Sequence, residues 1–449
     1  MSKQRIQLSD HFTYSRLLRF VLPCIGTMLF TSIYGIVDGL CVSNFVGKTA
    51  FAAVNLIMPL PMLLGTIGFM LGTGGSAIVG ITLGEGDQKK ADRYFTLFLL
   101  AALVSVSVLA VLGIVFLRPI AVLLGAKGEL LDYAVRYGRI LMVSLPTFAL
   151  QNMFQSFFVT AEKPHLGFWF TVGAGCTNMV LDVLMVGVWG WSVEGAAIAT
   201  FISQLVGGVL PVFYFIDRSN SSRLHLCKTS FYSKVLRDAC INGSSELMTN
   251  LSMSLVNILY NYQLLRLAGE NGVAAYGVIM YAAFLFVAVF VGYAVGSAPI
   301  VSFHYGARNH AEVHNLYRKS LRLIAVVAVT LTLASMFIIP CVARVFVGYD
   351  AELLALTSRA FRLYALSFLI MGFNVYASSF FTALGDGVTS ALISFLRTLA
   401  FQVIAILLLP MLLGIDGIWL AVTAAELAAL AVSAAMFLTK DKVFHYRKA

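Results

Sequence analysis

Charge is what this sequence has least of. Only 12% of its 449 residues are Asp, Glu, Lys or Arg, against 59% hydrophobic, and the mean hydropathy is +0.88. One soluble core cannot hide that much apolar surface, which excludes a water-soluble globular domain. Prolines number 10 against 37 glycines, a balance that suits close-packed helices in a bilayer. Cys24, Cys41, Cys176, Cys227, Cys240 and Cys341 show no paired spacing. They read as small buried hydrophobes, not as a disulfide framework or metal site. No nucleophile–base constellation and no nucleotide motif is present. The glycine-rich GTIGFMLGTGG from Gly65 lacks the lysine and preceding strand of a phosphate loop, and reads as close helix packing. Neither an enzyme nor an ATP-driven pump is supported. His310 and His314 share a helical face without a third ligand and read as a solvated pair.

Long apolar runs are what the chain does have. They predict twelve spans, at 15–42, 51–83, 92–117, 131–160, 166–188, 195–216, 237–265, 273–303, 317–343, 355–384, 388–412 and 417–438. With the N-terminus in the cytoplasm, that side collects 22 of the 31 Lys and Arg residues. Both termini are therefore expected on the cytoplasmic side of the plasma (inner) membrane. The net charge of +10 is then mostly topology, with a contribution from anionic lipid, and no nucleic-acid partner is implied. The polar start carries no small-residue cleavage site, and the apolar run after it is too long for a signal-peptide core, so it reads as the first helix.

The longest polar break starts at Asp217 and reads DRSNSSRLHLCKTSFYSKV. It divides the chain into an N-terminal bundle over 1–216, a cytoplasmic linker over 217–236 and a C-terminal bundle over 237–449. The halves align at an offset of 222: GKTAFAAV from Gly47 meets GENGVAAY from Gly269, and Gly84 falls on Gly306. Six spans per half is an even number, so the halves enter the membrane from the same side as a parallel repeat. The expected fold is an all-α polytopic protein of two pseudo-symmetric six-helix bundles, an architecture suited to alternating access.

Carboxylates inside spans cost about 2.5–3.5 kcal/mol on insertion scales, so those retained are paired, wet or at work. Asp182 stands about eight residues before the Trp189–Trp191 turn and Thr200 a similar distance after it, at matching depth; Asn178 lies one turn from Asp182 on the same face. Asp38 lies in the outer half of the first span, above Pro23, a candidate hinge. Each also has a structural reading, as a helix-end or interhelical hydrogen-bonding group. In the second half Glu246, which aligns with Cys24 beside Pro23, reads equally as a functional carboxylate or a helix-start cap. Glu426 aligns with Gln204. Asp38 and Asp182 have no acidic counterpart at the offset, so the acidic pair is expected in the N-terminal half alone.

With these residues assembled, the chain resembles the multidrug and toxic compound extrusion (MATE) family, in its bacterial and archaeal branch, over nearly its whole length. The most specific piece is NMVLDVLMVGVWGWSVEGAAIATFISQ from Asn178, similar to the family's fifth and sixth helices. Asp38, fifteen residues after Pro23, matches the family's essential acidic position and its helix-bending proline, and GSSELMTN around Glu246 resembles the start of the seventh helix. The fourth helix departs from the pattern: Val159 holds the arginine slot, Glu162 the glycine slot and Gln155 the asparagine slot, with Asn152 one turn away.

The resemblance implies secondary efflux of small organic, often cationic, compounds in exchange for H+ or Na+, by a monomer with no bound cofactor. Asp38 and Asp182 would carry the coupling, with Asn178, Thr200, Gln155 and Asn152 as polar partners. An Na+ site would use Asp38, Asp182, Asn178 and Thr200. The alternative within transport is a lipid-linked oligosaccharide flippase of the same superfamily, against which the acidic residues weigh. A receptor or scaffold without flux would need neither the repeat nor the carboxylates.

Overall fold

The computed structural model describes residues 6–45, 48–348 and 350–447; the side chains of residues 38–45, 48, 51, 342 and 345 lie outside the description. Every regular element among the described residues is a helix. Among the described residues nine helices are long and apolar enough to cross a bilayer, and Ala351–Ala365 with Phe368–Ala383, bent by 46°, forms another span. The 63-residue helix Ser244–Gly306 would reach about 95 Å if straight, far beyond one crossing. It breaks at Gly269 (φ 61°, ψ −151°), a conformation open to glycine. Beyond the break the ring of Tyr276 stacks on Tyr260 with centroids 4.9 Å apart. A straight helix would hold those residues about 24 Å apart, so the element is two antiparallel spans. The more polar helix Gly128–Thr160 completes the twelve. One expected span, 51–83, is divided at Met58 into Lys48–Ile57 and Pro59–Gly84, where Pro59 starts the new helix without needing an N–H partner.

The outer wall is apolar. Val104, Val108, Val111 and Val115 recur along one helix face with exposures of 62%, 54%, 60% and 63%, a stripe fit for lipid and wrong for water. Trp189 and Trp191 stand exposed at the turn between the fifth and sixth spans, as residues of a membrane interface do.

Glycines join the halves. A Cβ built on Gly84 would sit 2.0 Å from the Phe303 carbonyl oxygen, and one on Gly306 would sit 2.1 Å from that of Ile81. Phe303 and Ile81 are themselves related by the 222-residue offset, so the two contacts are one contact repeated by pseudo-symmetry. Gly74 against the Gly243 backbone (2.5 Å) and Gly296 against Val21 (2.8 Å) form a second such pair. Only the missing side chains let these helices come so close, backbone to backbone at Gly74, Gly84 and Gly306 and against the Val21 side chain at Gly296. All four glycines lie toward the end that holds the linker and both termini. Gly35 and Gly277 meet nothing within 4 Å of a built Cβ. The stretch from Gly65 is likewise packing: Gly65 seats the Phe148 ring, and Gly68 faces the Ala149 carbonyl oxygen at 2.4 Å.

The start of the chain is tied across the same end. The Leu8 N–H donates to Glu162 Oε1 (2.9 Å), which also receives Arg223 Nη1 (2.6 Å). In the other half Glu312 accepts the Phe12 N–H at 2.9 Å and lies 2.6 Å from His11 Nδ1, while Asn315 and Lys319 donate to the Phe12 carbonyl. Leu8 and Phe12 are fully buried. Glu162 occupies the slot where the resembled pattern has glycine, and its φ of 60° is one that glycine adopts most readily. Also near this end, Asp386 caps the helix Gly387–Phe395 and meets Lys440 at 2.7 Å. Burial pushes its carboxyl up, but Lys440 and Thr389 outweigh that and hold it below its ordinary value.

Two expectations are corrected here. His314 is not merely solvated: its Nδ1 lies 2.9 Å from the Tyr446 carbonyl oxygen and helps dock the C-terminal segment. Cys176 and Cys341 are exposed on the apolar outside, where a thiol is as acceptable to lipid as a methyl group, and only Cys24 is buried; Cys41 lies outside the described side chains. No disulfide occurs among the described residues.

Alanine at Gly84 or Gly306 should lower thermal stability in detergent by about 1–3 kcal/mol through overpacking, against the helix-propensity gain of about 1 kcal/mol. Alanine at Gly35 or Gly277 should not. Equal melting of the two pairs would remove the glycine crossing as the closure of this end.

Candidate functional site

The fifth span begins as the helix Pro164–Asp182, passes into a π-helical turn at Val183–Val188, and reverses at Gly190 (φ 68°) into the helix Ser192–Gln204. Asp182 is the last residue of regular α-helix before the widened turn, and it is fully buried. Asn178, four residues earlier on the same face, is 2% exposed, and neither its Oδ1 nor its Nδ2 has a hydrogen-bond partner among the described residues. A buried amide with both ends unspent marks a place built for something polar.

Two contacts set the surroundings. Gly195 approaches Met185, a built Cβ lying 3.2 Å from Met185 Cβ, so the sixth span packs on the fifth just beyond Asp182. Measured from that contact, Asp182 lies about 4–5 Å and Thr200 about 7–8 Å deeper along their helices. Thr200 is half-buried. On the other side Gly175 receives the first span: a built Cβ would meet the Phe30 ring at 2.5 Å and the Tyr34 ring at 3.4 Å. The first span therefore lies against the Asn178–Asp182 helix one turn below Asn178. Asp38 lies outside the residues whose side chains are described. Pro23 is inside the helix Tyr14–Phe45, and Thr27 Oγ1 donates to its carbonyl at 2.9 Å.

The two fourth-span candidates stand apart from this cluster. Gln155 lines a small pocket with Cys24, Thr27 and Gly167. Gly167 is fifteen residues before Asp182, or about 22 Å along the helix. Asn152 is buried at the level of Gly72 on the second span, with Nδ2 unpaired. Val159, in the slot that the resembled pattern gives to arginine, is 2% exposed and packed in the apolar core.

The second half holds a charged cluster of its own, around the Glu246 and Glu426 candidates. Arg397 sits in another π turn, Leu396–Ala400, with Nε 3.8 Å from Glu426 Oε1 on the last span. Asn374 Nδ2 donates to Glu426 Oε2 (2.7 Å), and Ser433 Oγ donates to Asn374 Oδ1 (2.8 Å). Glu426 is 1% exposed. Glu246 lies in the first turn of its helix within electrostatic reach of Arg397. Arg397 escaped the sequence reading; a lone arginine in the apolar run 388–412 was the available signal.

Twelve spans in two repeated bundles, joined at one end and with buried polar clusters between helices, define a secondary-transporter class of membrane protein. The sequence profile of the MatE family matches twice, at residues 23–184 and 247–408, and the chain belongs to that family. The double match is the internal repeat seen as two family units. Among curated proteins the chain is 21% identical over 436 residues to the multidrug export protein MepA of Staphylococcus saprophyticus subsp. saprophyticus, covering 96% of this chain and 95% of the other. It is 22% identical over 433 residues to MepA of Staphylococcus aureus, with the same coverage. Among solved structures it superposes over 100% of both chains, with TM-score 0.91 and 22% identity, on a MATE in complex with MaL6. A multidrug resistance MATE family transporter of the MOP superfamily in an outward-facing conformation gives the same values.

Replacing Glu426 by leucine should take from Arg397 its nearest carboxylate at membrane depth and destabilise the protein by about 3–5 kcal/mol. Adding Arg397→Met should restore most of that loss. A double variant that melts no higher than Glu426→Leu alone would show that the two side chains do not act as a pair.

Proposed function

We propose that this protein is a secondary multidrug exporter that expels small organic compounds, cations among them, from the cell in exchange for H+ or Na+. Asn178 and Asp182, buried on one face beside the first span, carry this reading. Family membership and the likeness to MepA, itself a multidrug export protein, support the transport class. They give no support to a flippase. The protein works as a monomer in the plasma membrane with both termini in the cytoplasm, where the basic residues concentrate.

The coupling follows from the chemistry of a carboxylate removed from water. Ionised, Asp182 attracts a cationic substrate or Na+, with Asn178 and Thr200 supplying neutral oxygens. Protonated, it holds neither strongly. Asp38 shares the role on the first span, and Pro23 gives that span a place to bend. Alternation of the two bundles converts this exchange into directed flux, provided that ion and substrate each prefer one arrangement.

Efflux of a fluorescent organic cation from proteoliposomes tests the proposal, with proton and sodium gradients imposed separately. Wild type should respond to one gradient, and Asp182→Asn or Asp38→Asn should reduce that response at least tenfold while melting as wild type does. Unchanged efflux in both variants would reduce the carboxylates to structural groups, and no efflux from wild type would reject the export reading.

A further inference from the structure

Two open grooves of similar size run along the outer wall, and they differ in what lines them. One, of about 630 Å³, lies between the helices Pro59–Gly84 and Gln88–Leu123. Leucines and Phe116 wall it, and no charged or hydrogen-bonding side chain takes part. Such a groove accepts any acyl chain and distinguishes no headgroup. The other, of about 670 Å³, lies between the first span and the start of the fifth, at the end that holds the linker and both termini. Leu22, Pro23 and Phe168 wall its deeper part. The two helices close on each other at Gly26, where a built Cβ would sit 3.1 Å from the Phe168 ring. Arg19 and His165 line its mouth. Arg19 stands seven residues before Gly26, or about 10 Å nearer the membrane surface along the helix.

The mouth carries charge of one sign. Arg19 and His165 are exposed, and neither makes a hydrogen bond or ion pair among the described residues. No carboxylate lines the groove. Glu162, three residues before His165, is committed to the Leu8 N–H and to Arg223, and Asp10 accepts the Gln7 N–H. Trp169 is 64% exposed, with its ring centroid 5.3 Å from that of Phe168, and marks the headgroup level as aromatic side chains at membrane interfaces do. A guanidinium at that level without a partner in the protein is matched by the phosphate of a lipid, and the apolar length beside it accepts the chain of the same molecule. A zwitterionic headgroup brings its own cation to Arg19 and is held less well.

We propose that this groove binds an anionic phospholipid of the leaflet on the linker side, with its phosphate on Arg19 and His165 and one acyl chain along Leu22, Pro23 and Phe168. The proposal concerns binding alone and does not rest on the export reading.

Quenching of tryptophan fluorescence by brominated lipid tests it. Trp419 is 1% exposed, so with Trp189→Phe and Trp191→Phe the Trp169 ring is the one left open to lipid. The full-length protein is placed in vesicles of equal parts phosphatidylglycerol and phosphatidylcholine. Bromine is carried on the acyl chains of one lipid or the other, so the surface charge never changes. Brominated phosphatidylglycerol should quench with an apparent affinity at least fivefold above that of brominated phosphatidylcholine. Adding Arg19→Gln and His165→Gln should bring the two lipids within twofold. Arg237→Gln, which removes an exposed cation elsewhere at this end, should keep the difference. Equal quenching by both lipids without these changes, or a preference that survives the Arg19 and His165 substitutions, would overturn the proposal. Soluble glycerol phosphate, a headgroup without chains, should leave the quenching unchanged. Displacement by it would replace the lipid site with one for a free anion.

Discussion

A peptide N–H or C=O left unpaired in hydrocarbon costs several kcal/mol, and the described parts of this chain are shaped by that penalty. Helices close their own hydrogen bonds, so helices are what span. Hydroxyl groups, which have no water to turn to, bond back to their own helix: Thr31 to the Thr27 carbonyl, Thr66 to Met62, Thr82 to Ile78. Because the backbones are internally satisfied, they can touch one another where side chains vanish. The paired approaches of Gly84 and Gly306 use that freedom, and they do so symmetrically because the chain repeats itself.

Polar function then has to be fitted into a lattice that tolerates little of it. Two charged residues within the spans stand at departures from the regular helix. Asp182 ends an α-helix at the edge of a π turn, and Arg397 stands inside one. A π turn admits an extra residue and leaves the i→i−4 ladder incomplete, so a polar side chain there has backbone dipoles and space within reach. The halves share a fold but not these sites: the turns at Val183–Val188 and Leu396–Ala400 do not fall on one another at the repeat spacing. Pseudo-symmetry fixes the scaffold and leaves each bundle to hold its own chemistry.

Much of this was written plainly in the sequence. Runs of apolar residues are long enough to reveal spans, and the repeat survives because it constrains glycines such as Gly84 and Gly306 that nothing else can replace. Asn178 and Asp182 were visible because two polar residues one turn apart are rare in such surroundings. What stayed hidden depends on contact, not on composition. Nothing local says that Arg397 faces Glu426, or that Asn374 pulls that carboxylate away. Gln155 looked like a member of the Asp182 cluster by family position, yet it opens on a pocket some four turns of helix distant. Glycine at 269 turning one long helix into two was legible only as a gap between apolar runs.

The tie made by the first residues has a further meaning. Glu162 belongs to one bundle and Glu312 to the other, and the segment from Leu8 to Phe12 is held by both. Any motion that parts the bundles at this end must let go of one carboxylate. The amino terminus is thus less a tail than a tether, and its hydrogen bonds favour the arrangement in which the bundles meet at this end. Glutamate at 162, kept in a backbone conformation that glycine would hold more easily, anchors one side of that tether.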